Sequence, residues 1–284
     1  MKPAGFEYHA PRTLAEAVQL LHRLGDEARI LAGGQSLVPM MNLRLARPEH
    51  IVDINRIAEL EHISTADGML RIGALARHNA FMAPPTDDPL GRLLAEVGRH
   101  IGHLPIRVRG TFAGSIAHAD PASEWCLVAA TLDGEMQAES GAGQRLIPAS
   151  EFFLSSLASN LKADEVLAEV RLPLLGEGAR FGFEEVSRRA GDFALTMILA
   201  VLWLDGDRIE KVRIGIGGAA NRAMRAPEAE AVLSGQPASP ELLQRAAEAA
   251  AASIDPLADI HASATYRRDL VRALTRRALK RALA

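Results

Sequence analysis

The sequence predicts an α+β protein built from a small parallel βαβ unit, an antiparallel sheet unit, and a C-terminal domain of a three-stranded antiparallel sheet and helices. Three observations support this prediction. Strand-like and helix-like segments alternate over residues 1–57. Asp67-Gly68 separates two strand-like segments, and this dipeptide is a strong hairpin signal. From residue 227 onward the pattern of apolar residues is helical.

Composition limits the classes of protein to which the chain can belong. Its 284 residues are enough for about two domains. It is 48% hydrophobic and 24% charged, as is typical of a globular protein, and its net charge of -3 indicates no general affinity for nucleic acid or an anionic membrane. Residues 1–8 lack the apolar core of a signal peptide, and the longest apolar run, Phe193 to Leu204, is too short to span a bilayer. A cytoplasmic protein is therefore expected.

Cys126 is the single cysteine of the chain. The sequence therefore excludes an internal disulfide, a four-cysteine iron–sulfur cluster and a zinc site built on paired cysteines. Cys126 lies in an apolar segment that predicts a buried helix, so it is expected to be a core thiol.

The first unit covers residues 1–57. Thr13 and Glu16 have the spacing of a capping box, and apolar residues then recur at helical intervals until Gly25. Strands flank this helix, and the order strand, helix, strand predicts a parallel pair with a right-handed crossover. The predicted elements are strands at 6–8, 28–32 and 50–54, and helices at 14–24 and 40–45.

The second unit covers residues 58–175 and completes a first domain at residues 1–175. The segments on either side of Asp67-Gly68 predict a hairpin, and two later strands make the unit mainly antiparallel. The predicted elements are strands at 61–65, 69–73, 135–138 and 166–172, and helices at 90–97 and 124–130.

The segment from Pro173 to Gly178 predicts a linker into a C-terminal domain at residues 176–284. The last helix carries Tyr266, Leu270 and Leu274 every four residues, which predicts an apolar stripe with a basic face toward solvent. The predicted elements are strands at 181–187, 193–204 and 208–216, and helices at 227–233, 241–252 and 264–283. The basic residues of the last helix are Arg267, Arg268, Arg272, Arg276, Arg277, Lys280 and Arg281.

Two short glycine-rich segments indicate a ligand site. The first consists of Leu31, Ala32, Gly33, Gly34, Gln35, Ser36 and Leu37, and the second runs from Arg109 to Ile116. Glycine allows positive φ and lets backbone N–H groups approach an anion. Neither segment is a Rossmann or P-loop motif, and the first alone is explained at least as well by a tight strand-to-helix turn. Together they suggest one long diphosphate ligand held between two loops.

The second segment and the residues after it add polar groups among small residues. These groups are Thr111, Ser115, His118, Asp120 and Glu124. They could form hydrogen bonds with ribityl or ribose hydroxyls. Asp120-Pro121 predicts a turn into a helix with Glu124 in its first turn, where the helix dipole favours an acid in any case. A structural role therefore stays open for Glu124, and a packing role for His118.

These segments resemble the FAD-binding medium subunit of the molybdenum hydroxylases, the flavoprotein subunit of the xanthine dehydrogenase and carbon monoxide dehydrogenase type. The similarity rests on Ala32 to Leu37 with Pro39 to Arg44, on Arg109 through Pro121, and on Ser187 to Ala194. Their order and spacing agree across essentially the whole chain.

The resemblance implies a two-subdomain FAD-binding fold followed by a C-terminal domain. Residues 31–37 and 111–115 would bind the diphosphate and ribityl chain, with Asp120 and Glu124 near the flavin. Leu167 would flank the cofactor, and Phe193 would lie close to the isoalloxazine ring. The implied cofactor-binding residues are Leu31, Ala32, Gly33, Gly34, Gln35, Ser36, Leu37, Thr111, Ala113, Gly114, Ser115, His118, Asp120, Glu124, Leu167 and Phe193.

Two positions depart from the family pattern. Ala113 stands where the family commonly has the first glycine of a Gly-Gly pair. If that position requires positive φ, alanine costs about 1 kcal/mol or more. Phe193 replaces a tyrosine found in some relatives, so a phenol hydroxyl is lost while a ring that can stack remains.

The resemblance also implies a function. The chain would be an electron-transfer subunit that takes electrons from the [2Fe–2S] clusters of a small partner subunit and passes them to an external acceptor. A large partner subunit with a molybdenum cofactor would carry the substrate chemistry. We expect no catalytic residue on this chain, because nothing in it indicates a substrate pocket or an acid–base group over the flavin. We expect no metal ligand either, since His100 and His103 have no third ligand nearby in sequence. The alternatives are a stand-alone FAD-dependent oxidase or reductase of the same fold, and a non-catalytic nucleotide-binding module.

Overall fold

The computed structural model describes residues 2–284 and begins with a parallel sheet. The elements of this first unit are β1 (Glu7–His9), α1 (Leu14–Leu24), β2 (Ala28–Leu31), α2 (Leu37–Asn42) and β3 (His50–Asp53). The predicted pairing of the first two strands is wrong, because β3 lies between β1 and β2 and pairs in parallel with both. Ile51 and Val52 of β3 are buried, whereas β1 is mostly exposed. The most apolar strand thus takes the central position, where neighbours cover it.

The second unit contains an antiparallel sheet with the strand order β4-β5-β10-β6-β7. The strands of this unit are β4 (Ile63–Ala66), β5 (Met69–Gly73), β6 (Glu135–Ser140), β7 (Gly143–Pro148), β8 (Phe153–Ser155), β9 (Ala158–Ser159) and β10 (Val166–Pro173). Asp67 and Gly68 have φ of 54° and 73°, as a tight two-residue hairpin turn requires, so the predicted hairpin is confirmed. Strand β7 was not predicted, because it is a mostly exposed edge strand without an apolar alternation.

Five α-helices accompany this sheet within the described residues. They are α3 (Pro89–Gly98), α4 (Leu104–Arg107), α5 (Phe112–His118), α6 (Glu124–Thr131) and α7 (Ala149–Phe152). The prediction of a loop as far as Ile116 is wrong, because α5 already begins at Phe112. Phe112 and Ile116 are both fully buried, and such apolar pairs four residues apart favour a helix. The glycine-rich segment is therefore only a short loop leading into a buried helix.

The C-terminal part consists of an antiparallel sheet with the order β11-β12-β13-β14 and three α-helices among the described residues. These elements are β11 (Ala179–Ser187), β12 (Ala194–Asp205), β13 (Arg208–Gly217), β14 (Met224–Arg225), α8 (Pro227–Leu233), α9 (Pro240–Ala252) and α10 (Ala264–Leu283). The sequence predicted three strands, and the fourth, β14, is too short to give a periodic signal.

Both faces of β12 are covered. Met197 and Leu199 belong to the core shared with the second unit, whereas Ile198 and Ala200 belong to a core formed with α8, α9 and α10. Side chains alternate between the two faces of a strand, so a strand covered on both sides needs an uninterrupted apolar sequence. This explains the long apolar run at this point of the chain.

Helix α10 buries a different stripe from the predicted one. Its buried residues are Arg267, Val271, Leu274, Thr275, Ala278, Leu279 and Ala282. Tyr266, predicted in the apolar stripe, is 47% exposed, and Arg267, predicted on the solvent face, is 4% exposed. Arg267 donates hydrogen bonds to the carbonyls of Leu195 and Gly218 and to the carboxylate of Asp259. These oxygens compensate the burial of its charge.

The predicted environment of Cys126 is confirmed. The residue is buried within α6, and its sulfur lies 3.4 Å from the carbonyl oxygen of Ser115. Burial raises the pKa of the thiol, which therefore stays protonated and unreactive. Among residues 2–284, no helix is both long and apolar enough to cross a membrane.

Candidate cofactor-binding site

A cavity of about 490 Å³ lies between the carboxyl end of β2 and helix α5. It brings together both glycine-rich segments, although they are far apart in sequence. The predicted residues that line it are Leu31, Ala32, Gly33, Gly34, Gln35, Ser36, Leu37, Thr111, Ala113, Gly114, Ser115, His118 and Leu167. Its volume lies within the range of about 300–1,000 Å³ that is typical of small-molecule sites.

The two glycine-rich segments touch each other through their backbones. A Cβ atom added to Gly33 would lie 2.5 Å from the carbonyl oxygen of Arg109 and 2.6 Å from the Cα of Gly110. Any residue other than glycine at position 33 would force the segments apart. Gly34 next to it has φ of 73°, a backbone conformation that favours glycine for a separate reason. The two segments therefore form one continuous wall along the cavity.

Two side chains that the sequence did not indicate connect the two glycine-rich segments through hydrogen bonds. The Asn55 amide donates a hydrogen bond to the carbonyl oxygen of Ala32 at 2.8 Å. Arg77 donates to the Asn55 side-chain oxygen at 2.6 Å and to the carbonyl oxygen of Arg109. The chain of bonds thus runs from Ala32 through Asn55 and Arg77 to Arg109. The position of Asn55 just after β3 is a weak sequence indication that it lies near the site. Nothing in the sequence indicates this for Arg77.

His78 is a third residue of the site that sequence reasoning missed. It lines the cavity, and its Nδ1 accepts a hydrogen bond from Trp125 Nε1 at 3.0 Å. Burial, with smaller contributions from Arg77 and Arg107, lowers the pKa of His78 to about 4. The ring is therefore neutral near pH 7, and with Nδ1 accepting, Nε2 carries the proton. A Cβ added to Gly110 would lie 2.6 Å from this Nε2, so His78 packs directly under the second segment.

Ala113 does not have the strained, positive-φ backbone that would disfavour alanine at this position. It lies inside α5, is buried, and is not among the residues with positive φ. Alanine is the residue that the helical conformation favours most. The cost of about 1 kcal/mol considered for a left-handed alanine therefore does not arise at this position.

Comparison with known families accounts for both parts of the chain. A family model described as the FAD binding domain in molybdopterin dehydrogenase matches residues 4–175. The chain belongs to the FAD-binding subunits of the molybdenum hydroxylases. A second model, described as the CO dehydrogenase flavoprotein C-terminal domain, matches residues 181–282 of this FAD-binding subunit. The resemblance inferred from the sequence is confirmed, and with it FAD as the cofactor and membership of an oxidoreductase.

Similar proteins match over almost the whole length of this FAD-binding subunit. It is 38% identical to the nicotine 6-hydroxylase medium subunit of Paenarthrobacter nicotinovorans, over 98% of each chain. It is 36% identical to the carbon monoxide dehydrogenase medium chain of Hydrogenophaga pseudoflava, over 100% of this chain and 99% of the other. A solved structure of the Hydrogenophaga pseudoflava carbon monoxide dehydrogenase matches with a TM-score of 0.96 and 38% identity, over 100% of this chain and 99% of that one. These relatives are named for different substrates, so the similarity identifies the type of subunit rather than its substrate.

Asp120 and Phe193 line a second cavity, of about 410 Å³, where the second unit meets the C-terminal part of this FAD-binding subunit. Phe193 is 72% exposed, which leaves its ring free to contact a ligand. Asp120 accepts a hydrogen bond from the backbone N–H of Ala122 at 2.9 Å and so forms the turn that the sequence predicts. Arg188 and Asp192, 3.6 Å apart, lie in the same lining. Apart from Glu124, the predicted site residues are thus divided between the two cavities.

Glu124 lines neither cavity of the FAD-binding subunit. It is the first residue of α6 and is buried. Burial, followed by the nearby carboxyl groups of Glu185 and Asp120, raises the pKa of Glu124 to about 8. The carboxyl is therefore mostly protonated at neutral pH and can donate as well as accept a hydrogen bond. This position agrees with the structural role that the sequence analysis left open, and contact with the cofactor stays a prediction.

His100 and His103 of the FAD-binding subunit have different surroundings. The Nδ1 of His100 lies 3.8 Å from the Glu185 carboxylate, and its ring packs edge-on against Phe183. The ring of His103 lies against Gly191, where an added Cβ would be 2.5 Å away. His103 therefore packs against the loop that carries Phe193.

Proposed function

We propose that this chain is the electron-transfer subunit of a three-component complex, in which bound FAD takes electrons from [2Fe–2S] clusters on an iron–sulfur small subunit and passes them to an external acceptor. A large subunit with a molybdenum cofactor would carry the substrate chemistry. Two observations support this division of labour. The single cysteine is buried, so this chain does not supply cysteine ligands for the clusters. Its relatives are named as medium subunits or medium chains of hydroxylases and dehydrogenases.

The observation that carries the proposal is the backbone contact between Gly33 and Gly110 along the first cavity. A wall of glycine backbone allows the close approach that a diphosphate needs, and Ser36 and Ser115 offer hydroxyl groups beside it. We propose that residues 31–37 and 111–115, with His118 and Leu167, hold FAD there. Their fit to FAD rests on this close contact, because a Cβ atom on Gly33 or Gly110 would overlap protein atoms and displace the two segments that line the cavity.

We further propose that the flavin ring extends toward the second cavity, with Asp120, Glu124 and Phe193 at that end. The exposed Phe193 ring would cover part of the flavin and limit the access of water. This arrangement matches a division into an FAD-binding domain at residues 1–175 and a C-terminal domain at residues 176–284. The cytoplasmic location expected from the sequence stays a prediction.

The visible absorption spectrum of the purified chain, after addition of FAD and removal of the excess, tests the proposal. We expect one flavin per chain, reduced by dithionite but not by carbon monoxide or nicotine, because this chain is proposed to lack a substrate site. Coexpression with the genes next to its own should give a complex of three kinds of chain. Bleaching of the flavin by an organic substrate in the isolated chain would instead indicate a stand-alone oxidase or reductase. A folded chain that binds no FAD, alone or in the complex, would overturn the cofactor site.

A further inference from the structure

Three side chains of types that bind metals meet on one face of the β1–β3 strand pair in the first parallel sheet. Glu7 and His9 are two residues apart on β1, so they point to the same face. His50 is the first residue of β3 and lies directly opposite Glu7 in the strand register. The cluster is therefore built by regular strand geometry and not by a loop.

The ligand atoms of the three side chains form a compact triangle. His9 Nε2 lies 3.2 Å from His50 Nδ1, and the same Glu7 Oε2 atom lies 3.4 Å from His50 Nδ1 and 3.9 Å from His9 Nε2. A single point in this triangle is about 2 Å from all three atoms, which is the length of a Zn–N or Zn–O bond. In tetrahedral zinc sites, ligand atoms are about 3.3–3.6 Å apart. The observed separations need little adjustment to match this geometry.

Burial favours the same interpretation. The side chains of His9 and His50 are mostly buried, which fixes their rings before a metal binds. The Glu7 side chain is 73% exposed and closes the cluster on the solvent side, where a water molecule can supply a fourth ligand. Two imidazoles and one carboxylate suit zinc and similar transition metals, whereas magnesium and calcium prefer oxygen ligands alone.

We propose that Glu7, His9 and His50 bind one divalent transition-metal ion of the zinc class. The site is separate from the proposed cofactor site, since none of these residues lines either cavity. The glycine-rich segment begins at the carboxyl end of β2, whereas Glu7 and His50 lie at the amino ends of their strands. A bound ion would join β1, which has only three residues, to the central strand of the sheet. It would therefore stabilise the N-terminal parallel sheet.

Calorimetric titration with zinc sulfate tests the proposal on the full chain, purified without a polyhistidine tag and freed of metal with a chelator. We expect one ion per chain, no binding of magnesium, and a higher thermal unfolding midpoint with zinc, because a ligand that binds only the folded state stabilises it. His9→Gln and His50→Gln should each raise the dissociation constant by at least about tenfold, since loss of an outer partner of a ligand alone costs about 10- to 100-fold. Glu7→Gln should weaken binding as well, without disturbing the core.

His22→Gln is the matched control, because His22 is an exposed histidine of α1 outside the cluster. It should bind zinc like the unaltered chain. The same zinc affinity in His9→Gln and His50→Gln as in the unaltered chain, or no zinc binding by the unaltered chain, would overturn the proposal. If a histidine variant is less stable even without metal, the proposal is tested by whether zinc still raises its unfolding midpoint, which should not occur. The zinc affinity of Glu7→Gln gives an independent test. Retention of FAD should be unchanged in all four variants, so the two sites can be judged separately.

Discussion

Gly33 and Gly110 show how a single missing side chain can determine the shape of a site. Neither has positive φ, so conformational freedom does not explain glycine at these positions. The reason is contact, because a Cβ on Gly33 would overlap the backbone of the second segment and a Cβ on Gly110 would overlap the ring of His78. Gly34 differs, because its φ of 73° is itself unfavourable for other residues.

Gly33→Ala tests this contact at the residue scale. The added methyl group should push the two segments apart at a cost of about 1–3 kcal/mol, the range for overpacking. We expect the affinity for FAD to fall by about tenfold or more, since each 1.4 kcal/mol corresponds to a factor of ten. Fluorescence titration with FAD measures this change. Gly178→Ala is the matched control, because a Cβ there meets no atom within 4 Å and φ is not positive. Equal affinities in the two variants would contradict the role of the contact.

Helix α5 shows how one element serves both the fold and the site. The Thr111 hydroxyl accepts a hydrogen bond from the Gly114 backbone N–H at 3.0 Å and so begins the helix. Phe112 and Ile116 turn into the core, while Ser115 and His118 lie along the cavity. The same helical periodicity that buries one face therefore presents the other face to the proposed cofactor.

Thr111→Ala and Thr13→Ala form a matched pair at the scale of elements. Each removes a hydroxyl that caps a helix, since Thr13 accepts a hydrogen bond from the Glu16 backbone N–H at 3.2 Å at the start of α1. Each should lower the free energy of unfolding by about 1 kcal/mol, measured by urea denaturation. Only Thr111→Ala should also weaken FAD binding, because Thr111 lines the cavity. A similar loss of FAD affinity in Thr13→Ala would show that general destabilisation is the cause.

At the scale of the whole molecule, buried carboxyl groups lie where the two main parts of the chain meet. Glu124 begins α6, and Glu185 belongs to β11 of the C-terminal part. Burial raises the pKa of Glu185 to about 7 and that of Glu124 to about 8. Within residues 2–284, Oε2 of Glu185 has no hydrogen-bond partner. The junction therefore favours the protonated carboxyl groups.

This junction should make stability depend on pH. In the unfolded chain both carboxyls ionise near pH 4.5, whereas in the folded chain they stay protonated until pH approaches 7 to 8. The free energy of unfolding should therefore fall as pH rises from about 5 to about 8, by a few kcal/mol. Glu124→Gln and Glu185→Gln should each flatten this slope in urea denaturation, and the exposed Glu210→Gln should not. An unchanged slope in both buried variants would contradict the assignment.

Features that depend only on neighbouring residues could be predicted from the sequence. Asp67-Gly68 specified its hairpin, and Thr13 specified the start of α1. The apolar run from Phe193 to Leu204 predicted a strand, and β12 occupies almost the same residues. The glycine-rich segments and Ser187 to Ala194 carried the family resemblance, because they form a local pattern that can be recognised without knowing the fold. The predictions for the start of α5 and for the buried stripe of α10 were wrong, because packing against the rest of the fold determined which residues are buried there.

Contacts between distant residues became known only from the three-dimensional fold. It placed β3 between β1 and β2, and Gly33 against Gly110. It also joined the two segments through Asn55 and Arg77, and brought His50 to the strand that carries His9. Local propensities act over a few residues, whereas these contacts depend on how whole elements pack. The free energy of that packing is shared over the core and is not encoded in the motif of any one segment.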